Sequence, residues 1–271
     1  MRGALNTDIQ ELSKIDHMIL RSITGAQAKI PIEFLYLETS SQSVSNVITV
    51  RRMSYLQVLL KRHTSEVTRK VYNAMKQAPL PGDWIHFVKS DFERVGLQMS
   101  ELSITNMKKS EYKQIIKQLV WKKNFAEMEV RKETHKKVKH IEYDGKRKAQ
   151  KYLVSHKFNN ELSSLLFNLR CSSVNSFKDN FHSQYGQLPP CLMCKKYVDS
   201  QEHALECEGI RKELTWKEAN QITIIKYNHL YGGPEEQLKI TQIFHKILII
   251  RQRLQECSLK PAYPGNNTGP R

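Results

Sequence analysis

Three of the five cysteines and one of the ten histidines fall within the seventeen residues C-L-M-C-K-K-Y-V-D-S-Q-E-H-A-L-E-C, residues 191–207. The spacing is Cys191-x2-Cys194-x8-His203-x3-Cys207. A Cys-x2-Cys pair suits a tight turn whose two thiolates converge on one ion. Asp199 or Ser200 can cap a short helix beginning at Gln201, and on that helix His203 and Cys207, four residues apart, share a face. Three thiolates and an imidazole with no position left open describe a closed tetrahedral zinc site, which is structural rather than catalytic. Such a centre carries a formal charge of −1, and Lys195 and Lys196 stand beside it to offset that charge. A hydrolytic zinc would need an open coordination position and a general base. Glu202 and Glu206 are neighbours of the ligands, but acidic neighbours are ordinary in a chain that is 26% charged. The expectation is one structural Zn²⁺, held by Cys191, Cys194, His203 and Cys207, in a loop that folds because the ion holds it.

The elements that must position these residues read almost entirely as helix. Ile9, Leu12, Ile15, Ile19 and Ile23 recur at spacings of three and four, one face of a helix over 8–24 that Asp8 starts and Gly25 ends. Pro31 opens a short helix carrying Phe34, Leu35 and Leu37. Further helices are expected over 44–61, 65–76 and 84–95, the last capped by Asp83 and closed by Gly96. Residues 97–109 read as a linker, and a helix follows over 110–129. Tyr112 and Trp121 lie inside apolar runs and are assigned to packing. Beyond 130 the apolar residues thin out. A leucine-faced helix spans 160–170, partial helix follows over 209–220, Gly232-Gly233-Pro234 makes a turn, and a long helix runs from 234 to 256. Residues 258–271 read as a frayed tail. The fold class is mainly α: a multi-helix domain, a small Cys3His zinc knuckle and a C-terminal helix. The expected segmentation is a helical region at 1–96, a basic helical region at 97–187, the knuckle at 188–210, a C-terminal helical segment at 211–257 and the tail.

The formal net charge of +16, from 43 basic and 27 acidic residues, calls for an anionic partner. Residues 101–160 carry 16 of the basic residues against 7 acidic ones, so the excess is concentrated in the middle. The expected phosphate-contacting set is Arg131, Lys132, Lys136, Lys137, Lys139, Lys146, Arg147 and Lys148. DNA, RNA or both could be the partner, because lysine and arginine neutralise phosphates without reading bases. Nucleic acid leads as the anionic partner, and an anionic membrane surface is the runner-up. No stretch reaches eighteen apolar residues, so nothing spans a bilayer, and the partner expected is nucleic acid and no membrane. The N-terminus lacks a secretory pattern, and clustered cysteines suit a reducing compartment, so a nuclear or cytoplasmic location is expected.

The sequence also resembles the C-terminal region of reverse transcriptases from metazoan non-LTR retrotransposons, over about residues 8–256. The resemblance is carried by L-S-K-I-D-H-M-I-L-R-S-I-T-G-A (12–26), I-P-I-E-F-L-Y-L-E-T (30–39), R-R-M-S-Y-L-Q-V-L-L-K-R (51–62) and G-D-W-I-H-F-V-K-S-D-F (82–92). It continues through K-E-T-H-K-K-V-K-H-I (132–141), L-L-F-N-L-R (165–170), F-K-D-N-F (177–181) and D-S-Q-E-H-A-L-E-C (199–207). It implies a post-palm helical region that grips template RNA or target DNA, followed by a zinc knuckle with the same four ligands. It implies no catalytic residue. The polymerase palm needs adjacent aspartates, which this chain lacks, and the nuclease of some relatives needs a Pro-Asp step, also absent. Asp144-Gly145-Lys146 is the nearest fragment and sits in a charge run. The reading is a non-catalytic nucleic-acid-binding fragment. The alternative is a helical interaction module, or a transposon relic without present function.

Overall fold

The computed structural model describes residues 6–135, 138, 141–145, 147–174 and 190–259. It forms two compact units, one of Met1–Thr24 with Ala28–Gln150 and the other of Gly25–Gln27 with Lys151–Arg271. The described residues are mainly α-helical, and the only pairing of extended backbone among them is a bridge between Pro190 and Val198. The boundary at Gln150 falls inside the segment expected at 97–187. The physical reason is a long helix that buries Tyr112, Ile116 and Val120 in the first unit's core, which ties the start of the basic region to that unit.

The first unit contains α1 (Asn6–Thr24), α2 (Ile32–Thr39), α3 (Val44–Lys61), α4 (Val67–Gln77), α5 (Trp84–Val95), α6 (Glu101–Asn106) and α7 (Lys109–Glu133). Its core gathers Met53, Leu56 and Leu59 of α3, Trp84, Ile85 and Val88 of α5, Ile104 of α6, and Tyr112, Ile116 and Val120 of α7. Ser43 starts α3 by accepting the Asn46 N–H, and Gly96 stops α5 in the left-handed conformation, φ 66°, that glycine adopts freely. Tyr112 and Trp121 are buried, as their place in apolar runs implies.

Polar groups lock this unit. Asp91 of α5 accepts the Arg52 Nε and Nη2 at 2.8 and 3.1 Å and the Thr49 hydroxyl at 2.8 Å, so a largely buried ion pair pins α3 to α5. The Gln57 side-chain amide donates to the carbonyls of Ile104 and Met107, which satisfies the end of α6. Tyr143 donates to the buried Glu38 carboxylate, and the Gln150 N–H donates to the Glu38 carbonyl, returning the end of the unit onto α2.

Two expectations are corrected here. The 97–109 stretch contains α6, whose N-cap Ser100 accepts the Ser103 N–H and whose Ile104 is buried. Six residues are too few to display a helical period. The expected core face of α1 is also not buried. Leu12, Ile15, Ile19 and Ile23 are all about half exposed or more, while Leu20 and Thr24 are buried and Asp16 accepts a hydrogen bond from Tyr36 of α2. Periodicity locates an apolar stripe; packing on α2 and α3 uses the side of α1 next to it.

The second unit contains α8 (Lys151–Val154), α9 (Asn160–Arg170), α10 (Gln201–Glu206), α11 (Glu208–Glu213), α12 (Trp216–Ile224), a 3₁₀ helix (Tyr227–Tyr231) and α13 (Pro234–Leu259). Ile240, Ile243, Phe244 and Ile247 of α13 are buried, as are Leu166, Phe167 and Leu169 of α9, and these two helices pack together. Residues 260–271, most of the expected tail, lie outside the described residues, while α13 continues through Leu259. No described helix is long and apolar enough to cross a membrane.

Replacing Asp91 by alanine is expected to destabilise the first unit by about 3–5 kcal/mol, because it strands the largely buried Arg52 guanidinium. Urea unfolding followed by circular dichroism measures this. A loss below about 0.5 kcal/mol would show that the pair does not hold α3 to α5.

Candidate metal centre and basic surface

The Cys-x2-Cys turn is built by backbone. Pro190 bridges Val198, the Cys191 N–H donates to the Tyr197 carbonyl at 2.7 Å, and the Lys195 N–H donates to the Cys191 carbonyl at 3.0 Å. Lys195 occupies the left-handed region, φ 57°, which an L side chain adopts at some cost and which reverses the chain here. The backbone N–H groups of Lys196 and Tyr197 then point at the Cys194 sulfur. They lower its thiol to about 6, with smaller contributions from His203 and Cys191, which favours the thiolate a metal requires.

The second half of the site is a helix start. Ser200, not Asp199, is the N-cap of α10, and its hydroxyl accepts the His203 N–H at 3.1 Å. Asp199 is committed elsewhere: it is buried and takes a two-pronged ion pair from the fully buried Arg251 of α13, with Nη1 at 2.8 Å from one carboxylate oxygen and Nη2 on the other. Cys207 ends α10 and begins α11. Burial pushes its thiol up to about 11, against the opposing effect of the Ile210 and Gly209 N–H groups. Gly209 must be glycine for space, since a Cβ there would lie 2.9 Å from the Met193 Cβ.

The structure brings all four expected ligands together. Their ligand atoms lie within 4.8 Å of one another. The sulfurs of Cys191 and Cys207 are 3.7 Å apart, and the Cys194 sulfur is 3.3 Å from His203 Nε2. Thiolates on a tetrahedral ion with metal–sulfur bonds of about 2.3 Å stand about 3.7–3.8 Å apart, so the donor set fits such an ion. Cys191 and Cys207 are buried, while Cys194 and His203 are half-buried on the open side. The group could hold one metal ion with four protein ligands.

The expected basic set fares unevenly. Lys136, Lys137, Lys139 and Lys146 lie outside the described residues. Arg147 and Lys148 are exposed, with the Arg147 guanidinium 5.9 Å from the Trp121 ring centroid. Arg131 is exposed but sits 3.3 Å from Glu33. Lys132 is withdrawn from the set: it is buried, its ammonium bonding Glu129 at 2.9 Å and the Ile141 carbonyl, over the Tyr143 ring. A lysine at the end of α7 was close enough to the returning 141–143 segment to be used inside.

Packing reveals other candidates. Lys109, Lys113 and Lys117 of α7 recur every four residues and are exposed, as are Lys122 and Lys123, and none has an ion-pair partner among the described residues. Their signal in the sequence was the basic excess counted over 101–160, which the choice of the apolar-poor run alone left out.

No protein-family model matches the chain, and no curated protein or solved structure matches it.

One metal ion per chain is expected by elemental analysis of purified protein, and Cys194→Ser is expected to lose it; full occupancy in that variant would overturn the ligand assignment. Chelation should unfold 190–210 while the first unit keeps its helices, because the core around Met53 and Tyr112 includes none of the ligands. Hydrogen exchange by mass spectrometry distinguishes this local loss from a global one.

Proposed function

We propose that the chain is a non-catalytic nucleic-acid-binding fragment of the reverse-transcriptase type it resembles, with one structural zinc at Cys191, Cys194, His203 and Cys207. The observation that carries this reading is the closed Cys3His group in a chain of net charge +16. Three thiolates and one imidazole are soft-to-borderline ligands in a tetrahedral set, the combination that selects zinc. Every ligand position is taken by protein, so the ion supplies fold and not chemistry. Unpaired lysines on α7 add support for a phosphate-binding surface, since a lysine without a carboxylate neighbour can take up a phosphate without first breaking an ion pair. DNA and RNA both present that phosphate.

Polymerase and nuclease chemistry require carboxylates clustered to hold divalent ions against a phosphate. The chain has no adjacent aspartates. Purified protein is expected to give neither primer extension nor metal-dependent cleavage, and activity co-purifying with the protein would overturn the non-catalytic reading.

One observation favours a second reading, an interaction module. Leu12, Ile15, Met18, Ile19 and Ile23 form an exposed apolar stripe along α1. Stripes of this kind mark protein contacts.

Fluorescence anisotropy with single-stranded RNA and duplex DNA, titrated with potassium chloride, tests the first reading against the second. If about five phosphates are neutralised, log K falls against log salt with a slope near −4.5 on duplex DNA. Reversing Lys113, Lys117 and Lys122 to Glu, or Lys136, Lys137 and Lys139 to Glu, should weaken binding alike for unrelated sequences. Absence of binding at low salt would leave the interaction module as the reading.

A further inference from the structure

The start of α3 opens on a cleft of about 320 Å³ that lies wholly within the first unit and is also walled by α1, α2, α5 and α7. The fold leaves polar groups in it unmatched. Asn46 is 2% exposed; its side-chain oxygen accepts from the Arg94 guanidinium at 3.0 Å, and its side-chain nitrogen donates to nothing among the described residues. Asn124 is 8% exposed, and its amide meets only the Met128 sulfur, a weak acceptor at 3.7 Å, so its oxygen has no donor among the described residues. Buried amides are as a rule hydrogen-bonded, so two left open onto one cleft mark a place where an occupant completes them. The charges are incomplete too. Arg94 is half-buried and bonds the neutral Asn46 and Thr49, with no carboxylate partner among the described residues. Glu127, also half-buried, has no cation partner among them.

These groups fall at two poles. Arg94 and the Asn46 side chain stand together at the start of α3, where the Val44 and Ser45 N–H groups have no acceptor among the described residues. A helix start carries partial positive charge, so this pole takes an anion. The other pole is rich in acceptors. Asn124 and Glu127 lie one turn apart on α7, and Glu33 joins that helix through Arg131, 3.3 Å away. The rest of the wall includes apolar surface: Ile32, Met128 and the Tyr36 ring, whose hydroxyl is already committed to Asp16.

We propose that this cleft binds a free α-amino acid with an apolar side chain, as its zwitterion. The carboxylate meets Arg94, the Asn46 side-chain nitrogen and the start of α3. The ammonium, a donor only, meets Glu127 and the Asn124 oxygen. The side chain lies on Ile32, Tyr36 and Met128. The lining charges cancel, Arg94 and Arg131 against Glu33 and Glu127, which matches a ligand of no net charge. A phosphate would satisfy the donor pole and be repelled by both carboxylates. The volume falls in the range of small-molecule sites, about 300–1,000 Å³. This site requires neither the metal nor a nucleic acid.

Isothermal titration calorimetry of the full chain isolates the two poles, using L-leucine and L-phenylalanine, each beside its N-acetyl and its carboxamide derivative. At least one free amino acid should bind with a Kd below about 1 mM, and blocking either end should weaken it about tenfold or more. Glu127→Gln should weaken the free amino acid about tenfold and leave the N-acetyl form unchanged, since that form has no ammonium to lose. Glu127 bonds nothing else in the fold, so this variant should melt with wild type. Arg94→Gln should weaken the free and N-acetyl forms and spare the carboxamide. Arg94 also holds Asn46 and Thr49, so if that variant does not fold, Glu127→Gln decides the matter. Equal binding of the free and N-acetyl forms would overturn the inference, as would no binding of either amino acid at about 10 mM. Tighter binding of inorganic phosphate than of either amino acid would overturn it in favour of a simple anion site.

Discussion

The second unit turns on one buried ion pair. Arg251 of α13 and Asp199 of the knuckle are each almost wholly removed from solvent and bind each other with two hydrogen bonds. Two charges in such a place are tolerated only together, and removing either leaves the other at a cost of several kcal/mol. The pair therefore couples the position of a short loop to the register of a long helix. Asp199 lies between the two halves of the metal centre, one residue after the bridge that closes the Cys-x2-Cys turn and one residue before the Ser200 cap. Holding Asp199 orients both halves, and Tyr227 adds a second tie by donating to Gln201 at 2.9 Å.

Arginine fills a similar role at α9. Arg170 donates to the Leu230 carbonyl at 2.8 Å, and its guanidinium lies over the rings of Tyr152 and Tyr231. A planar cation can stack on two aromatic faces and still donate in its plane, which an ammonium cannot. The first unit uses the same chemistry at Arg52 and Asp91, but around an apolar cluster drawn from five helices. The knuckle buries little apolar material of its own beyond Ala204, Leu205 and Ile210, so a buried ion pair stands in for a core there.

The same packing sorts the positive charge. A helix buried along one side must carry its lysines on the rest, and α7 does so with Lys113, Lys117, Lys122 and Lys123 while Ile116 and Val120 face the core. Where a returning segment covers the helix end, the lysine is consumed instead, as Lys132 is by Glu129 and the Ile141 carbonyl. Net charge is a property of composition; a phosphate-binding surface is the part of it that packing leaves unpaired.

The amino-acid sequence alone determined the helical class, most helix ends and the membership of the Cys3His group that could hold a metal ion. Each follows from neighbours within a few turns: Ser43 and Gly96 act on their own helices, and Cys191 with Cys194, like His203 with Cys207, are close enough along the chain to be paired by a turn or a helix. Tertiary structure alone decided which apolar stripe is covered, which cation is free and what Asp199 does. The α1 stripe at Leu12 and Ile15 has the right period and remains exposed, and α6 was too short to show a period at all. Asp199 was eligible as a helix cap by position, yet Arg251, fifty-two residues away in sequence, claims it. Local spacing fixes conformation through short-range hydrogen bonds, whereas the partner of a buried charge is set by which distant element desolvates it.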